Sequence, residues 1–222
     1  MHPLDFDDFI VSQFDDFRNT LYRQILKKFY SFKNVYNLSI YIFEHLCYNE
    51  LMEDSNGDSN AMNKINTVCF TGHRAIGYNV SVQIPKALKR CLTELIERGA
   101  KRFRAGGAMG FDTIAALCVL ELKEIYPHIE LELKLPCRNQ TRNWDSRSIT
   151  VYNYILKRAD CVEYVSDSFT PSCMHERNRR LVDGSDVCVA FLAKSSGGSA
   201  YTFGYALERG LEVINLNDIL KE

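Results

Sequence analysis

Apolar positions follow two different rhythms along this chain. Phe6, Ile10, Phe14, Phe17, Leu21 and Ile25 recur at steps of three and four, which places them on one face of a helix. Val35 to Leu51 is a second apolar stretch that reads as helical despite its β-branched and aromatic content. Glu53 to Asn60 is polar and rich in turn formers, the pattern of a linker. This predicts a helical extension over residues 1–53, a linker over 54–64 and a main domain over 65–222.

From Ile65 onward, short apolar runs alternate with helical periodicity. Strands are expected at Ile65–Phe70, Arg102–Arg104, Glu130–Leu135, Cys161–Val165, Val187–Leu192 and Leu211–Leu216. Helices are expected at Pro85–Arg98, Thr113–Tyr126, Ser146–Arg158, Met174–Val182 and Ala200–Arg209, with Gly99, Pro127 and Gly210 as stops. Regular alternation of strand and helix predicts an α/β fold. It would be a Rossmann-like, doubly wound, mostly parallel sheet with helices on both faces. No internal repeat is evident.

Composition narrows the function classes. Apolar residues make up 46% and charged residues 25%, within the globular range. Net charge is -1, so no strong field draws the chain to a duplex or an anionic membrane. The charge is uneven: residues 1–64 carry 10 acidic and 6 basic side chains, residues 65–222 carry 18 and 21. A mildly basic main domain suits a small anionic ligand and makes nucleic acid an unlikely partner. The eight cysteines include no C-x-x-C pair and sit mostly among apolar neighbours. They read as small buried hydrophobes in a reducing compartment, with neither metal nor disulfide implied. No apolar run reaches the ~18 residues of a membrane helix. The acidic start does not resemble a secretory signal, so a cytoplasmic location is expected.

Ligands of such sheets sit beyond the carboxyl ends of the strands. Three strand-to-helix loops there carry unusual residues. Thr71-Gly72-His73-Arg74 offers a hydroxyl, a tight exit and a guanidinium suited to phosphate or carboxylate. Gly106-Gly107-Ala108-Met109-Gly110-Phe111-Asp112 exposes backbone N–H groups at a helix N-terminus, an anion site by construction. Asp112 either caps that helix or accepts from a ribose or base. Ser195-Ser196-Gly197-Gly198-Ser199 is a second such cradle, and two at equivalent strand ends are more specific than one. Neither is a Walker loop or a G-x-G-x-x-G fingerprint. On the helix at Met174-His175-Glu176-Arg177-Asn178, Arg177 and Asn178 join an apolar rim that includes Leu181. For Arg179 and Arg180 a solvated basic face is the competing reading.

These motifs, with Pro136, Gln140, Trp144, Thr202 and Tyr205-Ala206, resemble in order the YpsA-like branch of the SLOG superfamily. That superfamily is Rossmann-like and related to the LOG phosphoribohydrolases and to the DNA-processing protein DprA. The resemblance covers residues 65–216 and implies a pocket for nucleotides or ADP-ribose-like molecules. The nucleotide would be a ligand, with no cofactor required. The site residues it implies are Thr71, Gly72, His73, Arg74, Gly106, Gly107, Ala108, Gly110, Asp112, Gln140, Trp144, Arg177, Asn178, Gly197, Gly198, Ser199 and Thr202. Trp144 or Tyr78 would stack on a base, with core packing the equal alternative for Trp144.

Met174-His175-Glu176-Arg177 is also similar to the hydrolase motif M-H-x-R. The hydrolases' second motif, P-G-G-x-G-T-x-x-E, is half present: its Glu position falls on Gly204 or Tyr205. The expectation is therefore a binding or sensing module. The alternative is a hydrolase of N-glycosidic or ribosyl-phosphate bonds, with Asp112 or Glu176 as the acid–base group. DprA-like nucleic-acid binding stands third. The N-terminal helices offer a surface for a homo-oligomer.

Overall fold

Val68 to Thr71 are all buried in β1 (Thr67–Gly72), so this strand has no solvent face and no hydrophobic–polar alternation. Its neighbours explain why. In the computed structural model, which describes residues 65–221, the sheet has six strands in the order β4-β3-β2-β1-β5-β6, all parallel. The remaining strands are β2 (Arg102–Ala105), β3 (Glu130–Cys137), β4 (Cys161–Ser166), β5 (Val187–Phe191) and β6 (Glu212–Asn215). The helices are α1 (Tyr78–Ser81), α2 (Ile84–Glu97), α3 (Phe111–Lys123), α4 (Ser146–Arg158), α5 (Cys173–Val182), α6 (Gly198–Glu208) and α7 (Leu216–Ile219). The expected helical extension and linker lie outside the described residues. A mostly parallel sheet was expected; a wholly parallel one is found.

The two faces of the sheet are built differently. Val68, Phe70, Phe103, Leu131, Leu133, Leu135, Val187 and Val189 point into a large apolar core against α2, α3 and α4. The alternate residues point the other way, as the period of two requires. In the centre these are Cys69 and Cys188, packed with Leu181, Val182 and Ala206 of α5 and α6. Toward β4 they are charged. Arg104 pairs with Glu132 at 2.9 Å, Lys134 with Glu163 at 2.8 Å, and Arg180 of α5 reaches Glu163 and Glu176. The Arg104–Glu132 pair is nearly buried, whereas the Arg180 pairs that tie α5 to β4 are half-exposed; such pairs add little net stability but help fix where α5 sits. They also explain why β2, Arg-Phe-Arg-Ala, reads as a weak strand: Arg104 faces Glu132 instead of water.

Six of the seven described cysteines are buried, and Cys161 is exposed. Burial pushes the Cys91 and Cys118 thiols up to about 12, so they stay protonated and behave as apolar groups. Among the described residues no helix is long and apolar enough to cross a membrane.

Candidate functional site

The chain leaves β1 toward β2, β3 and β4, then returns on the opposite side of β1 to form β5 and β6. The strand order therefore reverses between β1 and β5, and a crevice opens beyond their carboxyl ends. Gly72 and Phe191 are registered partners at that point. The loops after β1, β2 and β5 meet there.

The two glycine loops are not equivalent. The one after β2 is filled by the protein itself. A side chain at Gly106 would overlap the Arg177 guanidinium, and one at Gly107 would overlap Leu135. Gly110 has φ +79°, and a Cβ there would overlap the carbonyl oxygens of His73 and Arg74. These glycines let α3, α5 and the β1 loop close on one another. The loop after β5 is open. Nothing lies within 4 Å of the Cβ position of Gly197 (φ +93°), and at Gly198 only Asn178 Nδ2 does, at 3.9 Å. The N–H groups that begin α6 have no partner within the helix, and Gly197, Gly198 and Ser199 border open space, where an anion is favoured.

A cavity of about 250 Å³ occupies that space. Its wall includes Thr71, Gly72, His73, Arg74, Ala108, Asp112, Arg177, Asn178, Gly197, Gly198, Ser199 and Thr202. Gly106, Gly107, Gly110, Gln140, Trp144 and Glu176 are outside it. Gln140 donates to the Gly107 carbonyl at 3.2 Å and so braces the β2 loop from behind. Trp144 packs edge-on against Tyr152 in the large core, which is the packing reading of that residue. Glu176 is held by Arg180 at 2.9 Å, away from the cavity, and Tyr78 lies on α1 and is 80% exposed. The wall also holds Phe70, Met174 and Ser196, which belong to the same sequence motifs but not to the implied site residues. Met174 was legible, because it precedes Arg177 by one helical turn.

Several polar groups of the wall serve the scaffold. His73 Nε2 accepts from the backbone N–H groups of Ala193 and Lys194, at 2.8 and 3.2 Å, and so fixes the β5 loop to the β1 loop. Ser199 donates to the Gly72 carbonyl at 2.7 Å, anchoring the start of α6 to the end of β1. Thr202 donates to the Gly198 carbonyl at 2.9 Å. Other groups have no such task. The side chains of Thr71, Arg74 and Asn178 make no hydrogen bond to any described residue, although Asn178 is only 8% exposed. Its amide lies on the cavity wall and stays open to a ligand or water.

Arg177 and Asp112 form the buried centre of the site, at 7% and 5% exposure. Arg177 Nη1 donates to the Gly106 carbonyl at 2.7 Å and reaches Asp112 Oδ2 at 3.4 Å. Asp112 also accepts from the Ala108 N–H at 3.3 Å. It does not cap α3, whose N-cap is Gly110. Burial raises the Asp112 carboxyl above its ordinary range, opposed chiefly by Arg177. Burial likewise lowers Arg177, opposed by Asp112. The one carboxylate on the wall is thus already engaged by a guanidinium. Tyr205, at one of the two positions where the hydrolases carry Glu, bonds to Asp183 instead.

Relatives include a UPF0398 protein of Halalkalibacterium halodurans, 32% identical over 57% of this chain and 66% of that protein. Another is the uncharacterised SPbeta prophage-derived protein YoqJ of Bacillus subtilis, 30% identical over 56% of this chain and 81% of that protein. The chain spans just under two thirds of the first of these. Among solved structures, DNA processing protein A of Streptococcus pneumoniae matches with a TM-score of 0.50 at 19% identity, over 68% of this chain and 50% of that one. The Helicobacter pylori protein of the same name, solved for its single-stranded DNA binding mode, matches with 0.50 at 21%, over 71% and 67%. These two share the fold. The family model described as the YspA SLOG family matches residues 68–212, a span that holds every wall residue of the cavity, and the chain belongs to that family.

Proposed function

We propose that this chain binds a phosphate-bearing nucleotide or nucleotide derivative and acts as a binding or sensing module. The observation that carries this reading is the open N-terminus of α6 facing the unbonded, nearly buried amide of Asn178 across a cavity at the sheet's switch point. The phosphate would lie on the N–H groups from Gly198 onward, with Arg74 supplying charge. Asn178 and Thr71 would bond a ribose. Against turnover stands the engagement of Asp112 by Arg177, with no second carboxylate on the wall.

Gly198→Ala tests this without damaging the fold, because the new methyl meets only the Asn178 amide at an ordinary distance. A thermal-shift screen of nucleoside phosphates, NAD and ADP-ribose comes first. A ligand near 100 times its Kd adds about 2.7 kcal/mol of stability. The expected result is a hit that chromatography finds intact and that Gly198→Ala weakens at least tenfold. An unchanged affinity in Gly198→Ala would place the phosphate elsewhere.

Single-stranded nucleic acid is a second reading, favoured by the fold shared with a protein solved for its single-stranded DNA binding mode. A terminal phosphate would then occupy the same cavity, and affinity would fall steeply with salt as several phosphates are neutralised. A mononucleotide that competes fully with the strand would separate the two.

A further inference from the structure

The β1 loop has a second side. Between it, the end of β5 and Asn217 of α7 lies another cleft, of about 330 Å³. The two clefts have in common only the side chains of His73 and Arg74. The second cleft is walled by Ile76, Val80, Phe191 and Ala193, all apolar. Its cations are Arg74 and Lys194, neither of which has a side-chain partner among the described residues. No Asp or Glu lines it. Asp218, the nearest carboxylate in sequence, is occupied by Asn215 and Lys221.

An apolar slot rimmed by unpaired cations matches a flat, weakly polar group carried on an anion. The sizes point the same way. Ligand pockets usually enclose roughly 300–1,000 Å³. The first cavity alone, at about 250 Å³, falls short of that range, and the two taken together lie well inside it. We propose that the second cleft is the base subsite of the ligand whose phosphate lies at the start of α6. Arg74 stands between the two parts and serves both. Its guanidinium neutralises the phosphate on one side and lies against the base on the other, a dual use that suits Arg better than Lys. Asn217 is the one amide placed to read a base edge. The ligand class is then a nucleoside 5′-phosphate or a larger molecule containing one. A sugar phosphate alone would fill half the site. This inference rests on the phosphate reading of the first cavity.

The test titrates the full chain calorimetrically with the four nucleoside 5′-monophosphates and with ribose 5-phosphate. At least one nucleotide should bind tenfold or more tightly than ribose 5-phosphate. Val80→Glu, which puts a carboxylate in the apolar wall, should bring that nucleotide to within threefold of ribose 5-phosphate and leave the sugar phosphate unmoved. Lys194→Ala, at an exposed side chain with no hydrogen bond or ion pair to lose, should lower nucleotide affinity at least threefold with the same indifference to ribose 5-phosphate. If all five probes bind equally, or if the ratio survives both substitutions, the base subsite is wrong and the phosphate site stands. If none binds the unmodified protein, the phosphate reading falls and the subsite with it.

Discussion

Replacing Arg177 by Ala should destabilise this domain severely, and in a pH-dependent way. The substitution removes a charge-assisted hydrogen bond to the Gly106 carbonyl and leaves the Asp112 carboxylate buried with one weak backbone donor. Breaking a buried pair from one side costs about 3–5 kcal/mol. A domain of this size loses about 2–4 °C of Tm per kcal/mol, so a fall of roughly 6–20 °C follows. Asp112 has an escape, since it can take up a proton. Burial already raises its carboxyl in the intact protein, and losing Arg177 raises it further. A carboxyl whose folded value lies above its unfolded value costs stability while ionised. That cost fades as pH falls through the folded value and is gone below the unfolded one, near 3.9. The defect of Arg177→Ala should therefore shrink between pH 8 and pH 5, with a slope of at most ~1.4 kcal/mol per pH unit for the one proton. Urea unfolding followed by circular dichroism at both pH values measures it. Adding Asp112→Asn should restore part of the stability and abolish the extra pH dependence, a coupling of 0.5–3 kcal/mol being usual for contacting groups. A penalty below about 1 kcal/mol at pH 8, or one that is the same at pH 5, would refute the argument. So would strict additivity of the two substitutions.

Other substitutions separate scaffold from ligand. Asn178→Ala, next on the same helix, breaks no protein hydrogen bond and should cost under ~1 kcal/mol in the same urea assay. Gly110→Ala forces a side chain onto a φ of +79° and against two carbonyls; it should lose at least the ~1–3 kcal/mol of backbone strain, read as a lower urea midpoint. Ser199→Ala removes the bond to the Gly72 carbonyl and should cost ~1 kcal/mol, with faster amide exchange at the start of α6. Glu163 is held below the ordinary glutamate range by Lys134 and Arg180, so its contribution is present above the unfolded value and lost as pH falls through the folded one. Glu163→Gln should accordingly flatten the acid limb of the stability profile.

Most of the fold was legible because the longer helices carry a period near 3.6 and the buried strands read as short apolar runs between them. The helix Ser146–Arg158 appears with the expected bounds, and Cys161–Ser166 differs from its expectation by one residue. Where boundaries moved, a local contact decided. The helix expected from Thr113 begins at Phe111, because Gly110 turns the chain sharply and Phe111 enters the core. The last strand stops at Asn215, whose side chain caps a short helix that no periodicity announces. Four residues, as in α1, are too few to show a period at all.

The sequence by itself determined the α/β alternation, the glycine loops at the strand ends and most of the residues that meet at the site. These are local properties, written in spacing and residue type. It did not distinguish a glycine that admits a ligand from one that admits the protein. Gly106 and Gly198 look alike along the chain, yet the space beside one holds the Arg177 guanidinium and the space beside the other is empty. Nor did it separate Glu176 from Arg177, adjacent in sequence but turned apart by the helix, one to Arg180 and the other into the cavity. Such distinctions depend on which atoms from distant segments occupy a given volume. Only the tertiary structure decides that, because packing places residues seventy positions apart in the same few ångströms.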